Sequence, residues 1–315
     1  MQRKFLQPNS NICGQPTIIP KMIDLNYYGP SGRSRRQTEI KRSTGFSNRS
    51  QRIYKGHLAD GKMHPWLVLI RSTTDMCGGS IISNNFVLTA AHCCWDNLLD
   101  MAVDRTHLIV YAGMGSRLDD WRYNSNIQRK LVSKVIIHHT WINNIRTRVE
   151  VENDIAILKT KSPFKFDAPN QFGAVRPICL PNSVENSNLI LGDQCWIAGF
   201  GATAGTNQDP LTGDYQDETK LRHTDIHIID SYVCQNNLNS EILNSQICAG
   251  DLRNGADSCR GDSGGPLICA VDRNDPSTYA VEGIVSWGKE CGRENSPGVY
   301  GLGCSSMLIF RIILY

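Results

Sequence analysis

Nine short runs rich in β-branched and other apolar residues, at 66–71, 79–82, 86–90, 108–112, 132–138, 155–159, 195–200, 266–270 and 281–287, constrain this chain more than any other feature. They are separated by stretches containing Gly, Asn and Asp. Branched side chains pack well on a pleated surface and lose rotamer freedom in a helix. Runs this short, bounded by residues that accept turn geometry, read as strands. The predicted class is all-β. The 315 residues, 40% of them hydrophobic, suffice for one large or two small domains with real cores. No run of 18 apolar residues occurs, so no helical membrane span is expected. A net charge of +3 is too small to argue for nucleic acid.

The chain has 12 cysteines. That is many for a cytosolic protein of this size and points to an oxidising compartment. No Cys-x-x-Cys occurs, and the adjacent pair Cys93-Cys94 is a poor start for tetrahedral ligation. His138 and His139 are expected on opposite faces of a strand, where they do not share a metal. Neither a metal nor a cofactor is expected.

Residues 257–266 read Asp-Ser-Cys-Arg-Gly-Asp-Ser-Gly-Gly-Pro. Ser263 lies in a glycine-rich turn, with Asp262 beside it and Asp257 six residues before it. A serine hydroxyl is a weak nucleophile until a base is held against it. Thr89-Ala90-Ala91-His92-Cys93 supplies a histidine, and Asn153-Asp154-Ile155-Ala156-Ile157-Leu158 supplies an acid at the start of an apolar strand. The chain order is His92, Asp154, Ser263, which distinguishes it from other serine hydrolases built on the same three residue types.

These motifs, in that order, resemble the trypsin/chymotrypsin family of serine proteases, and the resemblance runs from about Arg52 to Tyr300. It implies two packed six-stranded antiparallel β-barrels with a catalytic cleft between them. Ser263 would attack the scissile carbonyl, His92 would act as base and then acid, and Asp154 would fix the His92 tautomer. Ser286 would help hold Asp154. The N–H groups of Gly261 and Ser263 would form the oxyanion hole. Asp257 would lie at the floor of a specificity pocket walled by Gly288 and Gly298, with Trp287 as an apolar platform. A buried carboxylate there wants a cationic partner, so cleavage after Arg or Lys is expected. Arg260 near the pocket mouth and Glu290 beside Cys291 suggest a narrower choice of substrate, with Arg260 favouring acidic residues.

The resemblance also implies an activation site. Cleavage after Arg52 would free the α-amino group of Ile53 to pair with Asp262, although Tyr54-Lys55 replaces a smaller pair. The expected organisation is a propeptide or linker (light chain) over 1–52 and a protease domain over 53–315, with an atypical tail from about 301. The implied bridges are Cys13–Cys179, Cys77–Cys93, Cys195–Cys269, Cys234–Cys248 and Cys259–Cys291. Cys94 and Cys304 are left to pair, stay free or bond another chain. Arg33-Ser34-Arg35-Arg36 reads equally as a second processing site or a solvated basic linker. Residues 202–219 read as an irregular loop. Residues 95–105 and 140–152 read as surface loops beside the cleft, because His92 and Asp154 are 62 residues apart.

The implied partners are protein or peptide substrates with Arg or Lys at the cleaved bond, an activating protease and protein inhibitors. The implied location is secreted. Met1–Pro8 holds basic residues but no apolar core of a signal peptide, so the expectation is that the chain continues upstream. The alternative is a catalytically inactive or misfolded homologue, with its C-terminus altered, acting as a binding module.

Overall fold

The computed structural model describes residues 13–14, 56–73, 75–143, 151–166, 175–181, 189–201, 220–253, 255–272, 275–289, 291 and 293–302. Arg52, Ile53, Tyr54, Lys55, Glu290, Cys304, the basic stretch 33–36, the loop 202–219 and the tail beyond 302 lie outside them.

Seventeen strands are described. β1 (His57–Leu58) precedes β2 (Leu67–Arg71), β3 (Met76–Ser83) and β4 (Phe86–Thr89). Two short strands follow, β5 (Trp95–Asp96) and β6 (Met101–Ala102), then β7 (Ile109–Ala112) and β8 (Gln128–Ile137). β9 (Ile142–Asn143) and β10 (Val151–Glu152) form a second small ladder before β11 (Ala156–Thr160). The second half holds β12 (Gln194–Gly199), β13 (Arg222–Ile229), β14 (Gln246–Gly250), β15 (Pro266–Asp272), β16 (Asp275–Trp287) and β17 (Gly298–Leu302), with one helix, α1 (Ser231–Leu238).

The first barrel closes in the order β11-β4-β3-β2-β7-β8. The second runs β13-β12-β15-β16-β17-β14 and closes by a β13–β14 ladder, with β1 added at the β13 edge. Every ladder is antiparallel. The class is all-β, two six-stranded barrels.

The sequence of β11 shows how the barrels are joined. Ala156 and Leu158 face the interior of the first barrel with Val68, Ile70 and Val110. Ile157 and the preceding Ile155 face outward, into a seam shared with Trp196, Ile268, Val281 and Ile284 of the second barrel. Because both faces are covered, the run is continuously apolar rather than alternating. β2 is the same: Leu67 and Leu69 turn away from the barrel interior and pack with Met114, Ile127 and Phe200.

At the edge of the seam, His64 Nε2 and His223 Nδ1 lie 3.0 Å apart, both buried. The His223 ring stacks on Trp196, and His64 meets Trp66 edge-on. His57 of β1 sits opposite His223 in the ladder.

Five disulfides join Cys13–Cys179, Cys77–Cys93, Cys195–Cys269, Cys234–Cys248 and Cys259–Cys291. Cys94 is a buried free thiol, its pKa pushed up to about 12 by burial and then by the charge of Asp154. One expectation is corrected. β8 ends at Ile137, so the alternation of the strand does not reach His138 and His139, and their rings stack at 5.0 Å.

Candidate active site

His92 opens a short 3-10 turn, His92–Cys94, directly after β4. Asp154 precedes β11, and β11 pairs with β4, so the ladder brings the acid to the histidine. One oxygen of Asp154 accepts the backbone N–H of His92 at 2.9 Å. The other accepts from His92 Nδ1 at 2.7 Å and from the Ser286 hydroxyl at 2.6 Å. An ionised carboxylate has no proton to give, so Nδ1 carries the hydrogen and Nε2 presents its lone pair.

The electrostatics follow from this geometry. Burial works against charge on His92, but the charge and hydrogen bond of Asp154 outweigh it, and the pKa lies above its ordinary value. Burial likewise pushes Asp154 up, while His92 and Ser286 pull harder and hold it below the usual carboxylate value. Asp154 is 2% exposed.

Ser263 stands on a turn bonded from both sides. Gly78 of the first barrel donates its N–H to the Ser263 carbonyl at 2.7 Å. Gly264 donates to Val285, and Gly265 to Asp262. Gly264 has φ +78°, and a Cβ there would collide with the Thr89 hydroxyl, which itself donates to the Gly78 carbonyl. Gly261 has φ +93°, a backbone conformation open to glycine. Among the described residues no carbonyl accepts from the N–H of Gly261 or Ser263. His92 Nε2 lies 3.7 Å from Cys93 Sγ and makes no hydrogen bond to the Ser263 hydroxyl. Such bonds are commonly long without substrate.

Asp262 is buried beneath this turn. Its oxygens accept from Gly201 N–H at 2.8 Å and Cys259 N–H at 3.0 Å. Gly199 and Gly201 lie so close that a Cβ at either would meet the carboxylate. Burial raises its pKa to about 6, against the pull of those hydrogen bonds and of Arg117.

Asp257 is 3% exposed, and its carboxyl is held well above the usual range, first by burial. Ser258 donates its N–H to it at 2.7 Å. A Cβ on Gly298 would lie 2.6 Å from Asp257 Oδ1, whereas one on Gly288 would stand 4.0 Å from Oδ2. The carboxylate therefore faces a gap between two residues without side chains. Trp287, half-buried, packs against a cluster of Cys234, Leu238, Cys248 and Val299. Arg260 is exposed.

Two residues at this pocket are absent from the sequence expectations. Ser258 bonds Asp257, and the buried Tyr300 hydroxyl crowds the same face of Gly298. Ser258 was legible as a neighbour of Asp257. Tyr300 lies two residues beyond Gly298 in β17, and no motif of the sequence marks it. Cys77, His92 and Cys93 bring ligand-type atoms together, but the two sulfurs are joined to each other.

Comparison with known proteins shows the family. A family model described as Trypsin matches residues 53–303. A curated relative, an ovochymase of Halocynthia roretzi, is 30% identical over 292 residues, covering 87% of this chain. The matched region spans 16% of that relative's length.

Proposed function

Because the chain belongs to the trypsin family over residues 53–303, and so is a serine-protease-like hydrolase acting on protein substrates, we propose that it is an endopeptidase cleaving after Arg or Lys. The observation that carries this is the bonded chain Ser286–Asp154–His92, which puts the hydrogen on Nδ1 and leaves the Nε2 lone pair for base chemistry. In this reading His92 takes the Ser263 proton as Oγ attacks the carbonyl and returns it to the leaving amine. The N–H groups of Gly261 and Ser263 receive the developing oxyanion; one such donor is worth about 3 kcal/mol. Water then repeats the cycle on the acyl-enzyme.

Selectivity comes from Asp257. A buried carboxylate whose donor among the described residues is Ser258 gains a full charge partner when an Arg or Lys side chain passes between Gly288 and Gly298. Trp287 offers an apolar surface to the residues before it.

The same logic supports activation by cleavage. Asp262 is buried with two N–H donors and a raised proton affinity, a place that favours a cation. Cleavage after Arg52 by another protease would supply the α-amino group of Ile53. Residues 1–52 would stay tethered through Cys13–Cys179. Five disulfides support a secreted protein, open to protein inhibitors in that space. No helix among the described residues is long and apolar enough to cross a membrane.

The test is hydrolysis of matched peptide substrates ending in Arg, Lys, Phe or Ala by chain cleaved after Arg52, with Ser263→Ala as control. Turnover of the Arg and Lys substrates alone, absent in the control, is expected. Equal turnover of Phe substrates would remove the role given to Asp257.

A further inference from the structure

Two neighbouring strands of the first barrel carry cations and no acids. No Asp or Glu occurs from Trp121 to Val149, or from Ile155 to Phe166. Arg129, Lys130 and Lys134 belong to β8, Lys159 to β11, and Lys161 and Lys165 to the segment after β11. The register sets Lys134 directly opposite Lys159. Ala156 and Leu158 fill the barrel, so by strand alternation Lys159 points outward. Lys161, whose N–H donates to the Leu131 carbonyl at 2.8 Å, continues the row. Gln128 at the start of β8 holds Lys165 by two hydrogen bonds, donating to its carbonyl at 2.6 Å and accepting its N–H at 2.9 Å.

Like charges directly opposite each other in a ladder cost stability. Among the described residues none of the six cations meets a carboxylate. Lys134, Lys159, Lys161 and Lys165 are exposed. Burial, and then the Lys165 ammonium, lowers the pKa of Lys130. The fold leaves this repulsion standing, and an anion from outside would relieve it. Three aromatic rings already carry strip cations on a face: Arg129 lies over Trp121 at 5.4 Å, Lys130 over Phe164 at 5.6 Å and Lys159 over Phe86 at 5.7 Å. These contacts steady the cations and take up faces on which nucleic-acid bases would stack.

We propose that this strip binds a linear sulfated polysaccharide. Cα atoms about 5 Å apart across the ladder and about 7 Å apart along β11 set a row of charges, which suits a polymer of repeated strong acids better than one enclosed ion. The choice of polysaccharide also rests on the secreted location given above. Lys159 is five residues beyond Asp154, about 17 Å in an extended chain. The polymer would therefore hold the protein by a face outside the catalytic residues.

The experiment titrates the full chain, carrying Ser263→Ala, with heparin as the probe at several salt concentrations. Lys134→Ser/Lys159→Ser/Lys161→Ser is expected to bind at least roughly tenfold more weakly at about 0.15 M salt, and to flatten the salt slope by about three. Arginine at the same three positions should keep the binding. Lys220→Ser/Arg253→Ser/Arg293→Ser removes the same charge outside the strip and should change it little. Equal loss in the two serine variants, or loss in the arginine variant, overturns the strip. Desulfated heparin, polyglutamate, single-stranded DNA and phosphatidylserine vesicles are the competitors, and equal or tighter binding to any of them overturns the polysaccharide. Cleavage of a short Arg amide by chains that keep Ser263 separates this proposal from the proteolytic one. Heparin binding without turnover keeps the strip and removes the protease, and turnover without heparin binding does the reverse.

Discussion

Replacing His64 with Gln and His223 with Asn together is expected to flatten the loss of stability in mild acid. In the parent, one imidazole N–H donates to the lone pair of the other across 3.0 Å, a bond that holds while both rings are neutral. A further proton adds charge to a buried place. His64 Nδ1 has no partner there, and His57 repels charge on His223 while Asp225 attracts it weakly. Burial first, then His57, lowers His223 from 6.5 to about 4. Burial and His223 hold His64 well below its ordinary value. A folded-state pKa below the unfolded one means that the unfolded chain takes the proton first. Stability is therefore whole above pH 6.5 and falls until about pH 4. His223 alone accounts for about 3 kcal/mol of that fall. One amide can present its N–H and the other its oxygen near the imidazole contact atoms, and neither titrates. Asp262 and Glu282, raised to about 6 and about 7, act in the opposite direction, gaining protons on folding. They are common to both proteins and cancel in the difference. Urea unfolding in a Ser263→Ala background at pH 7.5, 6.5, 5.5 and 4.5 gives that difference. Parallel stability curves for the two proteins would refute the reasoning.

Asp154→Asn should lower kcat by about 10⁴-fold. Its residual activity should also reach down to lower pH, since Asp154 is what holds the His92 pKa up; a kcat/KM profile reads both. Asp257→Asn should cost Arg substrates about 3–5 kcal/mol of selectivity, the penalty for breaking a buried ion pair, while Phe substrates change little. Gly298→Ala, whose Cβ meets Asp257 Oδ1 at 2.6 Å, should weaken Arg turnover roughly 10²-fold, seen mainly in KM. Cys94, with its thiol pushed up to about 12, should resist alkylation at pH 8 until the chain is unfolded, as peptide mass mapping would show.

All nine runs read as strands are strands, with ends shifted by a few residues. The segments that escaped notice share a physical cause. β13 reads Arg-His-Thr-Asp-Ile-His-Ile-Ile, and its buried His223 and Thr224 break the apolar run. β14 buries Gln246 because its amide donates to the Val151 carbonyl at 2.7 Å, a partner far along the chain. In α1 only Cys234 and Leu238 are buried, too few for a visible period, although Asp230 caps its start and Asn239 ends it at φ +46°. At the site, the residues of local motifs were legible because their chemistry is local. The Thr89 hydroxyl under Gly264 acts through a contact that only the packing of the two barrels creates.

The bonded chain at the reaction centre crosses the seam twice. Asp154 of the first barrel takes its hydrogen bond from Ser286 of the second, and Gly78 of the first holds the Ser263 carbonyl of the second. In the proteolytic reading, the spacing of His92 and Ser263 is thus a gauge of how closely the barrels sit, set by buried side chains such as Trp66, Ile157, Trp196 and Ile284. A ligand or antibody that wedges the seam from the side away from the cleft would separate the two halves of the machinery while leaving each barrel folded. Inhibition of this kind would be indifferent to the peptide being cleaved and would not be relieved by raising its concentration.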